Sequence, residues 1–221
     1  MTLKKKILTA SSAAILSLTL AFNAVAASVP FTDISDIASK DKIISLQERG
    51  YVSGTGNNRF SPASRINTAQ TIQLLVKAFD LNLQLVRFAK EPKATDYFTK
   101  AHNDAWYANA LITASVNGVE IDKEIDMSKD WTREEFTNIL ISTMEKHFNL
   151  PMLKIKPVDI KDTDQINVEF SGAIQRALIY GVVKLDEEGN FYPKDKLTRA
   201  EAAEQIYNAL EYLKAHQKVE G

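Results

Sequence analysis

One short motif recurs three times along the chain, and any fold must accommodate it. Leu197-Thr198-Arg199-Ala200-Glu201 is preceded by Trp131-Thr132-Arg133-Glu134-Glu135 and by Ile66-Asn67-Thr68-Ala69-Gln70, at spacings of 66 and 65 residues. Each copy places Thr or Asn three residues before Glu or Gln, with an amphipathic run behind it. That is a capping box, in which the first side chain accepts a free N–H of the first helical turn and the later one reaches back. Arg133 and Arg199 then fall at the first helical position, where the positive end of the macrodipole makes a cation mildly unfavourable. An arginine there makes sense if it and free N–H groups hold an anion, or it is a solvated surface residue.

Residues 1–26 read as a secretory signal peptide. Lys4, Lys5 and Lys6 precede an apolar run from Ile7 to Phe22, and Ala24-Val25-Ala26 offers a cleavage site before Ala27. The apolar run is short for a membrane span, so no membrane association is expected after cleavage. Loss of those three lysines takes the formal charge from −1 to −4. That balance argues against nucleic acid or an anionic membrane as partner. With no cysteine, stability must come from packing.

Around the motif the chain repeats a larger unit. A first helix is expected before each of Gly50, Gly118 and Gly181, and a second follows each motif copy, starting at Thr68, Arg133 and Arg199. Counted from the arginine position, Leu75/Val76/Phe79, Leu140/Ile141/Met144 and Ile206/Tyr207/Leu210 form one stripe. Ile43/Leu46, Leu111/Ala114 and Ile174/Ala177 form the matching stripe on the first helices. A unit of this size cannot bury two apolar faces alone, so the three units should pack on one another. Asp33, Asp96 and Asp159, each 63 residues apart, mark the expected openings of the units. Leu81 to Phe88 fits an extended segment or a helix tail, and Pro151 should end a helix just before it.

The opening aromatic and Asp, the glycine-ended helix, the G-x-F-x-P loop and the T-R-A-E helix start together resemble S-layer homology repeats. The third unit carries Gly189, Phe191, Pro193 and Thr198-Arg199-Ala200-Glu201; the first keeps Phe31, Asp33, Gly50, Phe60 and Pro62; the second keeps Asp96, Trp106, Gly118 and Thr132-Arg133-Glu134-Glu135. The resemblance implies a mainly α fold of three helix–loop–helix repeats packed as a pseudo-threefold bundle. Its repeats would be residues 27–92 (degenerate), 93–156 and 157–221. It also implies a secreted, cell-wall-associated protein of a Gram-positive-type envelope. Grooves between repeats would bind secondary cell-wall polysaccharide, often through a pyruvylated sugar. Arg133 and Arg199 would meet the pyruvyl carboxylate, and Trp106, Asp96 and Asp159 would line the sugar. Where the first repeat should have Arg and Glu it has Thr68 and Gln70, so it reads as structural; with Asn67 capping, Thr68 itself should matter little. The second lacks the G-x-F-x-P loop.

Other chemistry finds little support. Glu134 and Glu135 point about 100° apart on a helix, a poor arrangement for a glycosidase pair, and helix capping with solvent exposure accounts for both. His102, His147 and His216 have no metal-site spacing, and no cofactor is implied. A cell-wall hydrolase is thus the weaker alternative. A scaffold that has lost its glycan sites and binds another protein is the stronger one. On this reading the chain is all anchor, any cargo being absent or a separate protein.

Overall fold

The computed structural model describes residues 29–150 and 156–216. The expected signal peptide lies outside them, as does Pro151. Six α-helices occur among the described residues: α1 (Lys40–Glu48), α2 (Thr68–Ala78), α3 (Ala108–Val116), α4 (Arg133–His147), α5 (Val168–Ile179) and α6 (Arg199–His216). Only isolated bridges join extended segments there. The protein is mainly α, as the stripes require. Leu75, Leu140 and Ile206 are fully buried, and so are Ile43, Leu46, Leu111, Ala114, Ile174 and Ala177. Truncating such a leucine or isoleucine to alanine costs about 2–5 kcal/mol. Gly50, Gly118 and Gly181 all take left-handed backbone just beyond the first helices, at φ of 75°, 72° and 69°, which stops each helix and turns the chain. The segment after Leu81 is not helical.

The helices do not pair within repeats. α2 packs on α3, α4 on α5, and α6 returns to α1. Each prong therefore joins the second helix of one repeat to the first helix of the next, and the last repeat closes on the first. Ion pairs Lys42–Glu204 at 2.6 Å and Arg49–Glu211 at 3.7 Å span that closure. On the α4–α5 prong, the Arg176 Nε and Nη2 donate to Glu145 at 2.6 and 3.0 Å, and the Tyr180 hydroxyl donates to it at 2.8 Å.

α2, α4 and α6 also meet one another, and a closed ring of backbone hydrogen bonds ties their starts together. The Ile66 amide donates to Leu197 O at 3.0 Å, Leu197 to Trp131 O at 3.0 Å, and Trp131 to Ile66 O at 3.1 Å. These are the residues just before the three motif copies, so the sequence repeat is a true pseudo-threefold relation. Two further triads extend it. Thr68, Arg133 and Arg199 donate their amides to Lys129, Asp195 and Ser64 at 3.0, 2.9 and 2.8 Å; Ala69, Glu134 and Ala200 donate to Met127, Pro193 and Pro62, each at 3.1 Å. All three capping boxes form as well, through Asn67/Gln70, Thr132/Glu135 and Thr198/Glu201.

Candidate glycan-binding grooves

The ring changes the expected anion chemistry. The first two amides of α2, α4 and α6 are spent on a neighbouring repeat's carbonyls and the third on a cap. No free backbone N–H groups remain at these helix starts, so an anion there must be held by side chains.

The opening aspartates also fall differently from their spacing. The amides of Thr32, Thr99 and Lys161 donate to the equivalent carbonyls of Asn58, Lys123 and Gly189 at 2.9, 3.0 and 3.0 Å. The next residues, Asp33, Lys100 and Asp162, are therefore the matching positions. Asp33 accepts the amides of Phe60 and Ser61 at 2.8 and 2.9 Å. Asp162 accepts those of Phe191 and Tyr192 at 2.8 and 2.7 Å. These bonds hold Ser61 and Tyr192 at φ of 58°, unusual for residues with a side chain. Asp96 instead bonds the Lys93 amide at 3.0 Å, with Lys90 at 3.5 Å, and the Lys93 bond keeps its pKa low. Asp159 is almost fully exposed, 3.9 Å from Lys161. The structure does not bring Asp96 or Asp159 to a groove with either arginine. The equal 63-residue spacing does not mark equivalent sites.

Glu134 is corrected too. It is buried, its Oε2 accepts the Asn167 amide at 2.9 Å, and its Oε1 pairs with Lys194. Glu135 caps α4 as expected.

Three depressions lie beside the second helices, between each of α2, α4 and α6 and the loop after the first helix of the same repeat. In the first, of about 380 Å³, Arg199 of α6 faces the loop after α1 and the Gln70–Gln73–Lys77 face of α2. Trp106, 59% exposed, lines the same groove. The Arg199 guanidinium donates from Nε to Phe60 O at 2.9 Å and from Nη2 to Ser53 O at 3.1 Å, and stacks over the Phe60 ring at 4.7 Å. Burial pushes its pKa down, countered by the charge of Asp33. No carboxylate lines this groove.

The second groove is the same construction one repeat earlier, with Arg133 facing α6. Here the counterparts of Gln70 and Gln73 are Glu201 and Glu204, and Arg133 Nη2 donates to Glu201 at 2.5 Å. The cavity shrinks to about 150 Å³. Burial would raise the Glu201 pKa, but Thr198 and Arg133 hold it below the usual carboxylate range. The third groove is lined by Glu120, Glu145 and Lys146 and not by an arginine; the residue at the Arg133/Arg199 position of the first repeat is Thr68. Thr68 is fully buried; its Oγ1 accepts from Trp131 Nε1 at 2.9 Å and lies 3.3 Å from Lys129 O, to which it donates. It is a core residue in its own right.

A family match fits this geometry. The S-layer homology domain model matches residues 30–72 and 160–203. The chain carries S-layer homology domains. Its relatives include the exoglucanase XynX of Acetivibrio thermocellus, 30% identical over 186 residues, covering 83% of this chain and 16% of that protein. The amylopullulanase of Thermoanaerobacterium thermosulfurigenes is 28% identical over 183 residues, 82% of this chain and 9% of its own. The surface-layer 125 kDa protein of Lysinibacillus sphaericus is 25% identical over 204 residues, 89% and 16% of the two chains. The chain thus spans less than a fifth of the curated relatives it matches. S-layer homology domains are non-catalytic modules of cell-surface and S-layer proteins that anchor to the cell wall and bind its secondary polymers. The middle segment escapes the S-layer homology match, and its departures are physical. Lys100 replaces the loop-pinning aspartate, and Ile125 and Met127 stand where the other loops have Phe and Pro, although Met127 O keeps its bond to Ala69.

Gln73 and Lys77 were not among the residues singled out from sequence, and Gln70 was read there only as a helix cap standing where Glu was expected. Aligning them with Glu201, Glu204 and Asn208 would have exposed the charge difference.

Proposed function

We propose that the protein is a secreted cell-surface module that binds an anionic secondary cell-wall polysaccharide non-covalently, and that the first groove is its main site. The observation that carries this is Arg199, without an ion-pair partner among the described residues, beside the exposed Trp106 ring in a groove with no carboxylate on its walls. A guanidinium offers paired donors to a carboxylate such as that of a pyruvylated sugar, and an exposed indole offers an apolar face to a sugar ring. Arg133 is neutralised by Glu201, and the third groove lacks a cation at that position. One groove of three is therefore ready to bind. The degenerate first repeat, far from being idle, supplies its neutral Gln70–Gln73 wall.

The test is retention of the protein on purified walls before and after extraction of the non-peptidoglycan polysaccharide. Loss of retention on extraction, and with Arg199→Ala on intact walls, is the expected result. Retention on bare peptidoglycan, or release of reducing sugar, would instead favour a hydrolase. Binding to neither, with a protein recovered by crosslinking, would favour the protein-binding scaffold.

A further inference from the structure

Resting on the groove reading above, we propose that Lys77 is a second ligand-contacting cation, and that the first groove selects a saccharide unit carrying two anionic groups rather than one. Arg199 and Lys77 bracket one residue. Arg199 Nη2 donates to Ser53 O at 3.1 Å, and Lys77 Nζ lies 3.5 Å from Ser53 Oγ. The two cations thus reach the same groove residue from different repeats, Arg199 from α6 and Lys77 from α2.

Neither charge has a counter-ion within 4 Å among the described residues. Arg199 spends Nε and Nη2 on neutral carbonyls and keeps Nη1 donors in reserve. The lysine's single contact is with a neutral hydroxyl, at the limit of a hydrogen bond, so its remaining donors are unspent. A place in the last turn of α2 favours a cation through the helix dipole. That accounts for a charge near the helix end, but not for its aim across the groove at Ser53.

The pseudo-threefold axis supplies internal controls. Positions equivalent to Lys77 are Ser142 and Asn208, both uncharged. In the second groove, Arg133 is paired with Glu201 and Glu204 with Lys42, so Lys184 is the single lining cation without an ion pair among the described residues. Only in the first groove do two cations accumulate with neutral amides at 70 and 73. A ligand with one carboxylate would satisfy Arg199 and leave Lys77 facing it unpaired. A unit with two anionic groups engages both.

The test uses the chain with two synthetic disaccharides identical except for bearing one or two carboxylates, and reads affinity by calorimetry. The parent should bind the two-carboxylate probe about tenfold or more tightly than the other. Lys77→Gln should erase that preference by weakening the two-carboxylate probe more than the one-carboxylate probe; Arg199→Ala should weaken both. Unchanged thermal midpoints for Lys77→Gln exclude a folding defect. Equal binding of both probes by the parent, or a preference that survives Lys77→Gln, overturns the role of Lys77 and leaves the groove reading standing. If neither probe binds the parent, both readings fall.

Discussion

Arg133 and Arg199 occupy the same place in successive repeats, yet Arg133 Nη2 sits 2.5 Å from the Glu201 carboxylate while Arg199 has no carboxylate partner and stacks over Phe60. The difference originates not in the arginines or their own repeats but in the facing residue, Glu201 in one groove and Gln70 in the other.

Glu201→Gln should therefore free Arg133. Glutamine still caps a helix in this very setting, as Gln70 does with Asn67, and a half-exposed ion pair contributes only about 0–1 kcal/mol. Titration with wall oligosaccharide should show the number of sites per chain rising from one to two, and Glu201→Gln combined with Arg133→Ala should return it to one. A count that stays at one in the single variant would mean that the Glu201 carboxylate is not what closes the second groove.

Arg199→Ala should abolish most glycan affinity, and it should also lower stability. From sequence alone the change looks structurally harmless, because it removes a cation from a helix start. In the folded protein the side chain ties the third repeat to the first through two charge-assisted bonds and the Phe60 ring, so a loss of about 1–3 kcal/mol is expected. Arg199→Lys should keep part of the affinity but lose the fork. Chemical denaturation alongside binding separates the two effects.

Thr68→Ala should be more damaging than Asn67→Ala. The cap is worth about 1 kcal/mol, whereas removing the Thr68 hydroxyl strands the buried Trp131 Nε1–H, at about 1–3 kcal/mol. Equal denaturation midpoints for the two variants would refute this ordering.

Asp33 gives the fold an acid-sensitive pin. Burial pushes its pKa up, but bonds from the Phe60 and Ser61 amides and the nearby Arg59 outweigh that and leave it lowered from 3.8. A carboxylate with a depressed folded pKa contributes stability that is complete above its unfolded pKa and is lost as pH falls through the folded one. Asp33→Asn should thus be destabilised relative to the parent at neutral pH, by about 1–3 kcal/mol, and the gap should narrow below pH 3.8. Thermal scans across that range would check it; a gap independent of pH would count against the pin.

Everything local and periodic was legible in the chain itself. The capping boxes at Asn67, Thr132 and Thr198, the glycine stops and the stripe through Leu75, Leu140 and Ile206 follow from steric and hydrogen-bonding rules acting within a few residues. Tertiary structure alone decided the rest. It paired α2 with α3 and α6 with α1, spent the helix-start amides on neighbouring repeats, and made Asp162 rather than Asp159 the partner of Asp33 in function. It also set Gln70 against Arg199 and Glu201 against Arg133, residues far apart in sequence. An arginine's availability depends on the charge it faces across space, and which charge that is depends on how the repeats close into a ring.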